Sequence, residues 1–412
     1  MKKKVLIWGT GGTSISVFEY LSNHREYEIV AFGDNNVSMV GKEYKGYKVY
    51  GKEELGKIDI DLIVIASIYR DEIYNDLIKF TSVEIISDVA ELGFVYSIVD
   101  ISSVCNARCK WCVTGRRNRA KGEPVCASNN RYMEMEAFKR LYKHLYDCHF
   151  IEKGMVLELY SWGEPLLNPD YLRIIEYLAE QKQRYAVSTN ASILKLTDNP
   201  QIYEKCTTFC FSMCGFSQES FDRIHGLNFQ IVKSNIQKMT KNIKESGVDG
   251  NIQISYHVYR FNKHEIEDAR KFAEELGIRF VPYYPYFNGH SMLLPWMKGD
   301  MDEAIKQEAE KDMFLNNVPM LIQKRPNDYR CPLENMLTID TDTNMVLCCA
   351  GDIEMSGYKF RSIYEFGAME DLKKYRRNMF KCKICTECRA LGADYWMNYN
   401  PSYNSENLWY ET

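Results

Sequence analysis

Three thiols within eight residues, Cys105-Asn106-Ala107-Arg108-Cys109-Lys110-Trp111-Cys112, constrain this chain more than any other feature. They follow an apolar run, Tyr96 to Val104, that reads as a strand, and loops after strands are where parallel α/β folds carry their chemistry. Three close thiolates can hold three irons of a four-iron cluster and leave the fourth without a protein ligand. A structural zinc ion would close its shell with a fourth Cys or His nearby, and His144 and His149 lie only on or after the next predicted helix. The motif therefore points to an open, reactive metal position.

The chain holds 14 cysteines in 412 residues, and they are clustered. The opening MKKKVLIWG is cut by Gly9, Gly11 and Gly12 well short of a signal-peptide core. No stretch approaches the roughly 20 apolar residues that span a bilayer. A cytoplasmic protein with no membrane contact is expected, its thiols serving metal rather than disulfides. Lys and Arg number 52 against 56 Asp and Glu, a net charge of -4 with no long single-sign run, so nucleic acid is not an expected partner.

Three stretches are expected. Residues 1–97 alternate apolar runs, Lys4 to Trp8, Glu28 to Gly33 and Leu62 to Ser67, with helical or loop segments, which predicts a parallel sheet. The turn around Gly9, Gly11 and Gly12 would let backbone N–H groups approach a phosphate, and Asp34 would hold a ribose hydroxyl or serve as a turn residue. Ser14 stands where a dinucleotide fingerprint has its third glycine. With GTGGTS, FGDNN and DLIVIAS, this stretch resembles the small Rossmann-like domains fused to sugar-modifying and sugar-nucleotide enzymes; the resemblance implies a bound nucleotide or sugar nucleotide, or a docking domain with an empty crevice.

Residues 98–300 repeat strand then helix. A helix is predicted over Met133 to Leu145, and strands at Met155 to Tyr160, Tyr185 to Thr189, Thr207 to Met213, Asn251 to Val258 and Ile278 to Tyr284, which makes an open (β/α)6 barrel. CxxxCxxC with Trp111 before its last cysteine resembles the signature of the radical S-adenosylmethionine (SAM) enzymes. The order of the later motifs sustains it: Trp162-Gly163-Glu164-Pro165 is similar to the family's GGEP segment, Ser188-Thr189-Asn190 to its TNG-like strand end, and Ser212-Met213-Cys214-Gly215 with His225, Gly226 and Asn235 to its fourth strand and following helix. Asn262 to Leu276, with Glu265, is similar to the helix after strand five. The resemblance implies a [4Fe-4S] cluster on Cys105, Cys109 and Cys112. It implies SAM bound by Trp111, Trp162, Gly163, Glu164, Pro165, Ser188, Asn190 and Ser212, and a flavodoxin- or ferredoxin-type electron donor. Trp162 replaces the family's first glycine, and Cys214 its usual acidic residue. Strand alternation puts Cys210, Ser212 and Cys214 on one face. If that face looks into the barrel, Cys214 is a candidate hydrogen-atom donor.

Residues 301–412 are cysteine-rich and irregular, punctuated by Pro326 and Pro332 and ending in a Tyr- and Asn-rich tail. Cys331, Cys348, Cys382, Cys385 and Cys388 resemble the twitch and SPASM extensions of radical SAM enzymes, which implies one auxiliary iron–sulfur cluster. One of the last three is then not a ligand, and Thr343 stands where the hairpin pattern has glycine. A structural zinc site is the alternative for the same thiolates.

The reading that follows is a radical SAM enzyme, an oxidoreductase or epimerase acting on a sugar, aminocyclitol or nucleotide-linked saccharide. A maturase of ribosomally made peptides is the second reading, and a non-catalytic iron–sulfur sensor the third. Tyr283 to Phe287 falls at the predicted barrel mouth, either to stack on a substrate or to plug against the C-terminal stretch.

Overall fold

The computed structural model describes residues 2–24, 26–67, 69–87, 92, 96–248, 251–316, 318–325, 329, 331–349 and 360–399. Pro326 and the tail from residue 400 lie outside them.

The N-terminal sheet has six strands, β1 (Lys3–Trp8), β2 (Tyr27–Gly33), β3 (Glu43–Tyr44), β4 (Tyr47–Tyr50), β5 (Leu62–Ile65) and β6 (Glu84–Ile86), in the order β3-β4-β2-β1-β5-β6. All pairs are parallel except the β3–β4 hairpin. Val5 to Trp8 and Leu62 to Ile65 are buried on both faces, as continuous apolar runs in a central parallel sheet must be. Helix α1 (Gly12–Asn23) joins β1 to β2, and α2 (Arg70–Leu77) joins β5 to β6. A Cβ on Gly154 would lie 2.2 Å from the Glu19 carbonyl oxygen, so α1 rests directly on the turn that leads into the second sheet.

That second sheet has seven strands: β7 (Tyr96–Val99), β8 (Val156–Glu158), β9 (Arg184–Thr189), β10 (Cys206–Met213), β11 (Ile252–His257), β12 (Arg279–Tyr283) and β13 (Leu337–Ile339). They run in the order β12-β11-β10-β9-β8-β7-β13, every pair parallel. The sequence predicts six of these strands. The seventh comes from the irregular C-terminal stretch and pairs Leu337 with Ser97, so a boundary near residue 300 does not divide the sheet.

Helices α3 (Val113–Lys121), α4 (Met135–Asp147), α5 (Tyr171–Glu180), α6 (Gln218–Ile224), α7 (Phe229–Lys244) and α8 (Ile266–Glu275) return between the strands. Helix α4 buries Met135, Phe138, Leu141, Tyr142 and Leu145, the stripe its spacing predicts. Helix α3 is polar and short, and ends at Gly122 with φ 75°. Beyond β12 follow α9 (His290–Lys298), α10 (Glu303–Asp312), α11 (Val318–Gln323), α12 (Met369–Met379), α13 (Lys383–Leu391) and α14 (Ala393–Tyr399).

Candidate active site

The sheet places its functional loops at one end. The Cys105–Cys112 loop leaves β7 and runs into α3, and Asn118 on that helix reaches back to donate to the carbonyl oxygens of Cys105 and Ala107, both at 2.7 Å. Gly115 allows the approach: a Cβ there would lie 2.2 Å from the Cys109 carbonyl oxygen. The loop's other side rests on the end of α6, where the Arg108 and Lys110 N–H groups donate to His225 O (2.7 Å) and Ile224 O (3.1 Å). Asp312, wholly buried at the end of α10, accepts from Lys110 Nζ (2.8 Å), Trp111 Nε1 (3.1 Å) and Arg223 Nε (3.0 Å).

The Trp162-Gly163-Glu164-Pro165 turn lies against this loop. The Glu164 N–H donates to Val104 O at 2.9 Å, and a Cβ on Gly163 would sit 1.7 Å from the Ser102 carbonyl oxygen. Only glycine permits that contact. The buried Glu164 carboxylate accepts from Thr189 Oγ1 (2.6 Å), the Asn190 N–H (2.8 Å) and the Leu166 N–H (3.1 Å), tying the end of β8 to the end of β9. Burial pushes its carboxyl up to about 7. Asn190 in turn directs Nδ2 to Cys105 Sγ (3.7 Å) and Asn106 Oδ1 (3.1 Å). Ser188 and Ser212 face each other on β9 and β10, their hydroxyls 3.5 Å apart. Motifs more than 80 positions apart in sequence thus meet at Cys105.

Trp111 is bound up in packing, and Cys214 departs from the alternation argument. Trp111 turns into the core, its ring edge-on to Phe287 at 5.8 Å and its indole N–H on Asp312. Cys214 lies past the end of β10, wholly buried, with its thiol 3.6 Å from the Ser220 carbonyl oxygen on α6. The strand stops at Met213, so alternation does not carry Cys214 onto the face that Cys210 and Ser212 share. Cys210 instead sits beside its register partners Ser188 and Gln253, with Ser255 close by on that inner face.

Asp100, Asn118, Asp312, Gly115 and Asn288 are absent from the sequence reading. Asp100 accepts from the Trp162 N–H (3.2 Å) and Ser102 N–H (3.4 Å), and burial pushes its carboxyl up to about 7. Asn288 Nδ2 points at Cys112 Sγ, 3.9 Å away. No single motif marks these groups, although an isolated polar residue beside an apolar run, as Asp100 is after Tyr96 to Val99, is a usable signal.

Burial pushes the Cys105 and Cys109 thiols upward, with neighbouring acid and thiol charges adding to it. Amide N–H groups aimed at Cys105 and Cys112 sulfurs, with the Arg119 charge acting on Cys109, are what thiolate ligands require. The residues fit a cluster held by these three cysteines.

In the C-terminal stretch, Cys331, Cys348, Cys385 and Cys388 are all buried, while Cys382, at the start of α13, is half-buried. Cys388 senses the charges of Cys348 and Cys331, Cys385 those of Cys382 and Cys348. Cys385 and Cys388 share a helical face by their spacing. Arg376 of α12 is buried among them and donates to the carbonyl oxygens of Val346 (2.8 Å), Leu347 (3.0 Å), Leu333 (3.0 Å) and Met336. Burial lowers its pKa to about 10, against the raising effect of Cys348, Cys385 and Cys331. Its Nε has no partner among the described residues. A buried cation with an orphaned donor beside four thiols fits an anionic cluster. The glycine-less hairpin turn is made by Thr343 itself, at φ 65°, with Asp340 accepting from the Asp342 and Asn344 N–H groups at 2.9 and 2.8 Å.

At the N-terminal sheet, Gly9 (φ 117°), Gly11, Gly12 and Asp34 come together where β1 and β2 end. Asp34 Oδ2 accepts from the Thr10 N–H (2.8 Å) and hydroxyl (2.6 Å), and Oδ1 from the Asn36 N–H (2.9 Å). These contacts anchor the turn after β2.

Residues 99–273 match the radical SAM superfamily, and residues 1–86 the family described as C2185-like, N-terminal. The AdoMet-dependent heme synthase of Methanosarcina barkeri (strain Fusaro / DSM 804) is 28% identical over 168 residues, 38% of this chain and 43% of that protein. The match thus spans less than half the length of this curated relative. Streptococcus suis SuiB bound to its precursor peptide SuiA is a similar solved structure, with a TM-score of 0.47 and 13% identity over 73% of this chain and 76% of that one. BtrN in complex with AdoMet and 2-DOIA aligns at a TM-score of 0.34 and 13% identity, over 76% of this chain and 94% of that one. The three-cysteine loop, and the two strand ends that close on it, lie within residues 99–273, the stretch that matches the radical SAM superfamily.

Proposed function

We propose that the chain is a radical SAM enzyme that removes a hydrogen atom from a small, neutral or amine-bearing polyhydroxylated substrate such as a sugar or aminocyclitol, with dehydrogenation or epimerisation as the outcome. The observation that carries the reading is the closure of the Glu164 and Asn190 strand ends on Cys105. Cys105, Cys109 and Cys112 hold the cluster in this reading. Cys331, Cys348, Cys385 and Cys388 hold an auxiliary one. When bound, cluster and SAM together supply a 5′-deoxyadenosyl radical able to attack an unactivated C–H bond.

The inner face of the sheet supports the substrate class. Ser188, Cys210, Ser212, Gln253, Ser255, His257 and Tyr283 present hydrogen-bonding groups in one network there. Glu158 is the one acidic residue in the seven strands of this sheet, and burial pushes it up to about 7. Tyr160 lies close to it, and the Cys349 thiol lies in its field. Arg184 is spent on the Gly154 carbonyl oxygen and Arg279 lies exposed at the start of β12. Among the described strand residues no Lys or Arg is left to meet a diphosphate or the carboxylates of a haem. This favours the unactivated saccharide over a nucleotide-linked one or a tetrapyrrole.

Reduced, anaerobic protein should release 5′-deoxyadenosine from SAM. It should carry deuterium into it from a deuterated sugar or aminocyclitol, and not from deuterated peptide or porphyrin. No deoxyadenosine under any condition would favour the sensor reading, and transfer from peptide the maturase reading.

A further inference from the structure

Arg376 is the one buried Arg or Lys among the described residues. Arg325 near the same thiols is paired with Asp394 at 2.9 Å, and Arg389 with Glu334 at 2.6 Å. Arg376 has no carboxylate partner among the described residues, only carbonyl oxygens. Those carbonyls belong to two segments: Leu333 and Met336 follow Cys331, and Val346 and Leu347 precede Cys348. One guanidinium therefore clamps both strands of chain that carry these thiols. The Phe380 ring packs 4.9 Å away, leaving the charge little water.

A buried guanidinium with carbonyl partners alone carries an uncompensated charge, which several dipoles offset only in part. Four thiolates outweigh the positive charge of the iron–sulfur core they bind, so the assembled cluster is anionic, and one-electron reduction makes it more so. A fixed cation alongside stabilises the reduced form through the low-dielectric interior.

Resting on the auxiliary-cluster reading above, we propose that Arg376 is a positioning residue for that cluster, aligning the Cys331 and Cys348 segments and raising the cluster's reduction potential. No ligand bond is assigned to it.

The test is an EPR-monitored redox titration of the iron-loaded, anaerobically purified full chain, with wild type, Arg376→Met and Arg376→Lys compared. The Met variant should shift the auxiliary midpoint downward by at least the equivalent of a tenfold change in the oxidised-to-reduced ratio, about 59 mV for one electron. The midpoint of the Cys105–Cys112 cluster should stay in place, and Lys should restore most of the auxiliary potential. An assembled cluster with an unmoved midpoint in the Met variant overturns the inference, as does an equal shift of both clusters. If the Met variant assembles only one cluster, recovery of the second by Lys supports the role, and its loss in both variants with normal far-UV circular dichroism overturns the charge argument. Wild-type protein holding one cluster's worth of iron would instead remove the auxiliary-cluster reading itself, before any variant is compared.

Discussion

Two residues at the working ends of the fold hold backbone conformations that L side chains avoid. Ala191 lies at φ 56° and Thr343 at φ 65°. Such strain costs on the order of 1 kcal/mol or more, and a β-branched residue is the worse case. Ala191 is wholly buried, so its methyl returns about 0.8 kcal/mol of burial, and glycine there should leave stability nearly unchanged. Thr343 is half-buried and its hydroxyl makes one long contact, 3.5 Å to Ser362. Thr343→Gly should therefore raise the unfolding free energy by about 1 kcal/mol. Urea titration of both variants checks the pair, and a loss at 343 would show the hydroxyl outweighing the strain. Thr343 was legible in the sequence as a departure from glycine; that the chain keeps the turn and accepts the strain was not.

Among the elements, α3 shows how a polar, unpromising helix becomes essential. It buries Gly115 and Asn118 against the cysteine loop, and its side chains supply the loop's carbonyl partners. Gly115→Ala must push the Cys109 backbone away. The expected result is loss of one cluster's worth of iron with circular dichroism unchanged; full iron content in that variant would show that the loop yields without cost. The periodicities of β8 to β12 and α4 placed those elements to within a few residues, because each buries one face against a neighbour. β13 and α12 escaped the same reasoning for a physical reason. β13 lies in an irregular, cysteine-rich stretch with no strand–helix repeat to place it, and Arg376 sits in MEDLKKYRRNM among cations that are exposed or half-buried. Burial of one basic residue out of four is decided by tertiary packing alone.

Across the whole molecule, buried ionisable groups make stability depend on pH in two opposed ways. Asp100 and Glu164 titrate near 7 in the folded chain, well above their ordinary values, because burial penalises their charge. Between those ordinary values and 7 the folded chain keeps protons that the unfolded chain has lost. Their contribution is therefore full in acid and declines as pH rises through 7, by up to about 1.4 kcal/mol per unit per group. His225 and His257, lowered by burial to about 3 and 4, act in reverse: their contribution is complete above 6.5 and declines as pH falls. The difference between wild type and Asp100→Asn isolates the carboxyl. The gap between their urea midpoints should change in the variant's favour from pH 5 to pH 8, and a constant gap would show that Asp100 is ionised throughout.

The strand β13 has a consequence in time. Leu337 pairs with Ser97, and Ile339 accepts from the Asp100 N–H at 2.8 Å, so the last strand of the sheet is made some 240 positions after its neighbour. During synthesis β7 must wait as an open edge, its backbone groups unpaired and free to meet another chain, until residues 337–339 leave the ribosome. A slow late step, closing on the stretch that also carries Cys331 and Cys348, ties completion of the sheet to arrival of the second set of thiols.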